Sequence, residues 1–146
     1  IEEMTARADV GRSTYFRYFK NKEEVLSFKI VCLWKRFDAQ HHVGEHTASD
    51  EAAAARMFFE FCLSMREVSD LLYATGHQGC ILDAYLQILR SDADGENALE
   101  YYRSNMTAYA LYGLVNAWIL RGYRETPAEM ERIVLDWMDR PEKQEP

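Results

Sequence analysis

The stretch "ADVGRSTYFRYFKNKEEVL", residues 8–26, decides the interpretation of this chain. In it, basic side chains alternate with aromatic rings and hydroxyl groups before the sequence changes abruptly to "NKEE". The pattern predicts one short helix over residues 1–8 and a second over residues 12–19, with only "DVG" between them. Two short helices joined by so few residues are typical of a helix-turn-helix, whose second helix enters the major groove of DNA. We call residues 1–19 the head.

The second predicted helix offers donors suited to phosphates and base edges. The candidate DNA-binding residues are Arg12, Ser13, Thr14, Tyr15, Arg17, Tyr18 and Lys22. Tyr15 also has the spacing of a small core shared with Met4, Ala8 and Val10. The alternative is a solvated basic helix with no DNA-binding role.

A capping pair, Asn21 and Glu24, predicts that the next helix begins at Lys22. The free N–H groups at that helix start, together with Lys22, would clamp a phosphate. Apolar side chains recur at three- and four-residue steps from there to Phe37.

Charge is distributed unevenly along the chain. Residues 1–37 carry eight Lys/Arg against five Asp/Glu, a net charge of +3, whereas the remaining 109 residues carry nine against nineteen, a net charge of −10. A basic segment on an acidic chain is typical of a polyanion-binding module joined to a self-soluble one. Chance clustering is the alternative.

The rest of the chain predicts helices only. Ser49 or Asp50 caps a helix, a long helix spans residues 98–121 and stops at Gly122, and "TPAE" at residues 126–129 starts the last one. No alternating strand pattern occurs. We therefore predict an all-α fold with a DNA-binding domain over residues 1–40 and a ligand-binding and dimerisation domain over residues 41–146.

The segment "ARADVGRSTYFRYFKNKEEVL" resembles the helix-turn-helix and following helix of the tetracycline-repressor (TetR) family, whose pattern runs A-G-V-S-x-x-T-x-Y-x-Y-F-x-x-K-E-x-L. The matching residues are Ala8, Val10, Thr14, Tyr18, Phe19, Lys22, Glu23 and Leu26. Asp9 replaces the turn glycine, Gly11 a serine cap, and Phe16 a tyrosine that typically touches phosphate. The family's first helix is absent, and the uncapped start at Ile1 suggests that an N-terminal segment precedes this sequence.

The stretch "ALYGLVNAWILRGYRETPAEMERIVLDWM", residues 110–138, resembles the regulatory domains of one branch of the same family. The long helix is apolar on two faces, so we expect one face to pack on the body and the other to meet a second copy of the chain. The resemblance implies the same homodimer. The candidate dimer-interface residues are Tyr112, Val115, Ala117, Ile119, Ile133 and Trp137. The alternative is that short helices enclose the long one completely.

Aromatic residues and methionines are concentrated in the middle helices, which suggests an apolar cavity with phenol hydroxyls as orienting groups. The candidate ligand-binding residues are Phe58, Phe61, Cys62, Met65, Tyr85, Tyr102, Met106 and Tyr109. Ordinary core packing is the alternative for each of them.

Other chemistries lack a motif. His41, His42 and His46 have no clear partner ligands, so we expect a solvated linker and no metal. No nucleophile elbow, phosphate loop or cofactor motif is present, and we expect neither catalysis nor a cofactor. The cysteines, Cys32, Cys62 and Cys80, lie in apolar runs and are expected to be buried thiols of a soluble, cytoplasmic protein.

The function that these patterns favour is a ligand-responsive DNA-binding transcriptional regulator, a repressor released from a pseudo-palindromic operator by a small apolar effector. A regulator controlled by a protein partner is one alternative. A helical small-molecule carrier or enzyme is the other.

Overall fold

The capping signals of the sequence lie where helices begin. In the computed structural model, which describes residues 1–44, 50–90 and 97–138, the Asn21 side chain accepts a hydrogen bond from the Glu24 N–H (2.9 Å). The Glu24 carboxylate in turn accepts one from the Lys20 N–H (2.7 Å). At the last helix Thr126 and Glu129 form a fully reciprocal pair, in which the Glu129 carboxylate accepts from the Thr126 N–H and the Thr126 hydroxyl accepts from the Glu129 N–H. Both predicted helix starts are therefore confirmed.

Eight helices and no strand occur in the described residues, which confirms the all-α class. The helices are α1 (Glu2–Arg7), α2 (Arg12–Tyr18), α3 (Lys22–His41), α4 (Glu51–Ser64), α5 (Arg66–Ala74), α6 (Gly79–Leu89), α7 (Ala98–Leu120) and α8 (Pro127–Met138). Asp50 caps α4, whereas Ser49 lies outside the described residues. None of the described helices is long and apolar enough to cross a membrane.

The core is built by α3 packing on α6, α6 on α7, and α4 on α8. Its largest fully buried side chains are Ile30, Phe59, Phe61, Ile81 and Trp118. Burying one such side chain contributes about 1.5–3 kcal/mol. Because α3 supplies Ile30 to this core, the helix that follows the head is packed into the body, by which we mean α4 to α8.

The end of α7 follows the predicted pattern with one addition. Gly122 has a left-handed backbone (φ 74°), and so does Tyr123 after it (φ 54°). The Tyr123 ring lies against Trp118 (centroids 5.1 Å apart), whose indole N–H donates to the Glu125 carbonyl (3.0 Å). These contacts hold a tyrosine in a conformation that a non-glycine residue adopts at some cost.

The cysteines differ from the prediction at one position. Cys62 and Cys80 are buried, but Cys32 is exposed on α3. Apolar residues around Cys32 lie on the solvent-facing side of α3 as well as on its core side. The local composition therefore did not indicate which side of α3 carries Cys32.

Candidate nucleic-acid interface and ligand cavity

The turn between α1 and α2 depends on one left-handed residue. Asp9 has φ 51°, a left-handed conformation that favours glycine and that aspartate tolerates better than most residues. The Val10 N–H then bonds to the Thr5 carbonyl (3.0 Å), which closes the end of α1. Gly11 precedes α2 in an extended conformation and provides no side-chain cap.

Five of the seven candidate DNA-binding residues are exposed, and together they define what we call the basic face. These residues are Arg12, Ser13, Arg17, Tyr18 and Lys22. The Arg17 guanidinium stacks over the Tyr18 ring (5.0 Å to the centroid). Arg12 forms an ion pair with Glu2 (3.0 Å) while lying near the Phe16 ring. Both partners of that pair are exposed, so the ion pair is weak and Arg12 can leave it at little cost.

Two candidates lie elsewhere. Thr14 is half-buried and lines a groove between α1, α2 and the start of α3. Tyr15 is buried and contacts Phe16 and Phe19 at centroid distances of 5.1 and 5.9 Å. Its assignment as a DNA contact is therefore corrected, because its ring forms the small core of the head. The Tyr15 hydroxyl has no hydrogen-bond partner among the described residues.

The start of α3 is already partly occupied by acidic groups. The Glu24 carboxylate takes the Lys20 N–H, and the Lys22 amine lies 3.9 Å from the Glu23 carboxylate. A phosphate at this end would therefore meet Lys22 and the remaining first-turn N–H groups alongside two carboxylates.

A cavity of about 80 Å³ lies between α3, α4, α6 and α7. Three of the candidate ligand-binding residues, Phe58, Phe61 and Tyr85, line it. The other lining residues are Trp34, Ile88, Leu89 and Leu111, which sequence reasoning missed. Trp34 belongs to the apolar pattern of α3. That pattern indicates that a side chain is buried, but it does not indicate whether the side chain lines a cavity.

The remaining ligand candidates are not at this cavity. Cys62 and Met65 are buried in the core, and the Cys62 thiol lies 3.4 Å from the Tyr85 hydroxyl. Tyr102, Met106 and Tyr109 are exposed on the opposite side of α7, so the structure does not bring them to this cavity. The reason is that α7 is apolar on two faces, and periodicity did not distinguish which face meets the body.

The phenol hydroxyls of Tyr73 and Tyr85 have partners within the protein. Tyr85 bonds with Cys62, and the Tyr73 hydroxyl donates to the Asn116 side-chain oxygen (2.5 Å). Burial raises the pKa of Tyr73 to about 12 and that of Tyr85 well above its usual value, so both phenols are neutral near pH 7. The expectation that a ligand would satisfy buried hydroxyls is not met at Tyr85.

An apolar surface, which we call the stripe, extends along α7 and α8. Its exposed members are Leu99, Tyr102, Met106, Tyr109, Ala117, Leu120, Ile133, Trp137 and Met138. Met106 and Trp137 are 72% and 66% exposed, and a groove of about 260 Å³ beside Ile133 and Trp137 lies between the two helices. The described helices therefore do not enclose α7 completely.

The candidate dimer residues divide between the stripe and the core. Ala117, Ile133 and Trp137 belong to the stripe. Val115 is buried, so its assignment to an interface is corrected. Tyr112 and Ile119 are half-buried and pack against the core. The correction has the same cause as at the cavity, because α7 is apolar on two faces and the candidate list drew residues from both.

No cluster of potential metal ligands occurs in the described ranges. His41 and His42 are exposed at the end of α3, and His46 lies outside the described residues. Comparison with protein-family models, with curated proteins and with solved structures finds no match to this chain.

Proposed function

We propose that this chain is a ligand-responsive, homodimeric DNA-binding transcriptional regulator that acts as a repressor. The observation that carries the proposal is the basic face, which combines two guanidinium groups and two hydroxyl groups on the short helix α2, after a tight turn, with the Lys22 amine at the start of α3. Guanidinium and hydroxyl groups are the usual donors to phosphates and to base edges in the major groove. In this proposal α2 is the recognition helix, with Arg12 and Ser13 nearest the bases.

The proposed link between ligand and DNA is α3. Three residues separate it from the end of α2, and its Trp34 lines the cavity. At about 1.5 Å per residue, Trp34 is about 18 Å along α3 from Lys22. A ligand that moves Trp34 would tilt α3 and with it the head.

A dimer supplies the second head that such a mechanism requires. The stripe offers the apolar area that a monomer rarely leaves in water, and α7 and α8 of two copies would form a four-helix interface. Two recognition helices must then meet successive major grooves about 34–36 Å apart, or a multiple of that distance. A small tilt of α3 in each copy would spoil this spacing and release DNA.

The test is selection of bound sequences from a pool of random duplexes. We expect enrichment of a pseudo-palindrome with half-sites one or two helical turns apart, and loss of enrichment for Arg17→Ala. Arg66→Ala, which removes an equal charge from an exposed position on α5, away from the head and from the proposed interface, is the matched control and should leave selection unchanged. No enrichment by the unmodified protein, or equal losses in both variants, would refute the proposal.

A further inference from the structure

The walls of the cavity present only carbon surface. It is lined by aromatic and aliphatic side chains, and no polar atom of the described residues faces into it. Phe58 and Phe61 come from α4, and Trp34 from α3 contacts Phe61 edge-on (centroids 5.1 Å apart). A guest therefore meets ring faces and methyl groups with no donor or acceptor.

Tyr85 is the one lining residue whose side chain ends in a hydroxyl, and that hydroxyl is occupied. It lies 3.4 Å from the Cys62 sulfur, in the buried layer behind the cavity wall. Burial raises the pKa of Cys62 to about 12, although its bond to Tyr85 acts in the opposite direction. Both groups are neutral near pH 7, so this pair presents no charge to a guest, and no other polar atom of the lining faces into the cavity.

A polar guest would lose its hydrogen bonds to water on entering and gain none in return. Such a penalty discriminates strongly between molecules of the same shape that differ in one polar group. An apolar guest has no such loss, and dry apolar cavities in proteins take up xenon and benzene.

Size gives the second restriction. The volume of about 80 Å³ is roughly half that of the engineered cavity of about 150 Å³ that accommodates benzene. The side chains nearest solvent are half-buried, among them Ile88, Leu89 and Leu111, so they can rotate to enlarge the space. The guest is thus limited to about one ring or a short chain.

We infer that the cavity bounded by Trp34, Phe58, Tyr85 and Leu111 is a binding site for a small uncharged hydrocarbon, of one aromatic ring or less, held without hydrogen bonds. This inference rests on the proposed function only where it takes the bound hydrocarbon to be an effector of DNA binding. Binding itself is a property of the cavity and is measured without DNA.

The experiment is titration of the full chain with xenon, benzene and toluene, with phenol as a polar counterpart of toluene of nearly equal shape and with benzoate as a charged ring, monitored by NMR shifts of the residues that line the cavity. We expect at least one hydrocarbon to bind and phenol and benzoate to bind about tenfold more weakly or not at all. Leu111→Phe should abolish hydrocarbon binding, whereas Leu63→Phe, an exposed change on α4, should preserve it.

A second variant covers failure of Leu111→Phe to fold. Phe58→Leu enlarges the cavity and should shift preference from benzene towards longer alkylbenzenes. The inference is overturned if no hydrocarbon shifts the lining residues, if phenol or benzoate binds as well as toluene, or if Phe58→Leu leaves the size preference unchanged. If the protein binds DNA but fails these titrations, the proposed function as a regulator stands and the hydrocarbon site is refuted. If the protein binds a hydrocarbon but not DNA, the hydrocarbon site stands and the proposed function as a regulator is refuted.

Discussion

Replacing Tyr15 with phenylalanine removes a hydroxyl group that is buried in the head and has no hydrogen-bond partner among the described residues. A buried unpaired polar group costs about 1–3 kcal/mol, and the phenylalanine ring keeps the contacts with Phe16 and Phe19. We therefore expect Tyr15→Phe to stabilise α2 by about 1 kcal/mol or more.

Hydrogen exchange of the α2 backbone amides measures this effect where it occurs, because local opening of the head need not involve the body. A gain of about 1 kcal/mol corresponds to exchange that is about fivefold slower. The control is Tyr18→Phe, since Tyr18 is 67% exposed and its hydroxyl is solvated. That change should alter exchange in α2 by less than twofold.

Faster exchange in Tyr15→Phe would refute the reasoning, because it would mean that the Tyr15 hydroxyl makes a stabilising bond. The same variant also separates the two roles of Tyr15. If Tyr15 acts only in the core of the head, DNA affinity should be unchanged in Tyr15→Phe. A large loss of affinity with α2 intact would instead show that the Tyr15 hydroxyl contacts DNA.

Three further predictions concern the head, the stripe and the thiols. Glu2→Gln should strengthen duplex binding more than Glu3→Gln in a filter-binding assay, since both remove one charge but only the first frees Arg12. Trp137→Glu should give a monomer in sedimentation with helix content unchanged by circular dichroism, because a charge at this exposed position opposes association without entering the core. In the native protein only the Cys32 thiol should react rapidly with a disulfide reagent at pH 8, because burial raises the pKa values of the Cys62 and Cys80 thiols and keeps them protonated. After unfolding, all three thiols should react.

Helix starts were predictable from sequence because caps are local. The Asn21–Glu24 and Thr126–Glu129 pairs need only residues within one turn, and both form as the sequence indicated. The left-handed conformation at Asp9 occurs where the resemblance places a turn glycine, and aspartate tolerates it better than most residues.

The faces of α7 were not predictable, because helical periodicity identifies a face only when the opposite face is polar. Met106 and Val115 are both apolar, yet one is exposed and the other buried. Their positions depend on which side of α7 meets α6, a contact between segments separated along the chain. Trp34 was missed for a related reason, since a void depends on how four helices fit and not on any one pattern.

The measurement that tests the central claim most directly is the salt dependence of duplex DNA affinity, compared between the unmodified protein and Lys22→Ala. Each phosphate contact contributes about −0.9 to the slope of log affinity against log salt. A dimer that loses one contact per head should show a slope shallower by about 1.8, with weaker binding to all sequences. Identical slopes for the two proteins, or no salt-dependent binding by the unmodified protein, would contradict the account.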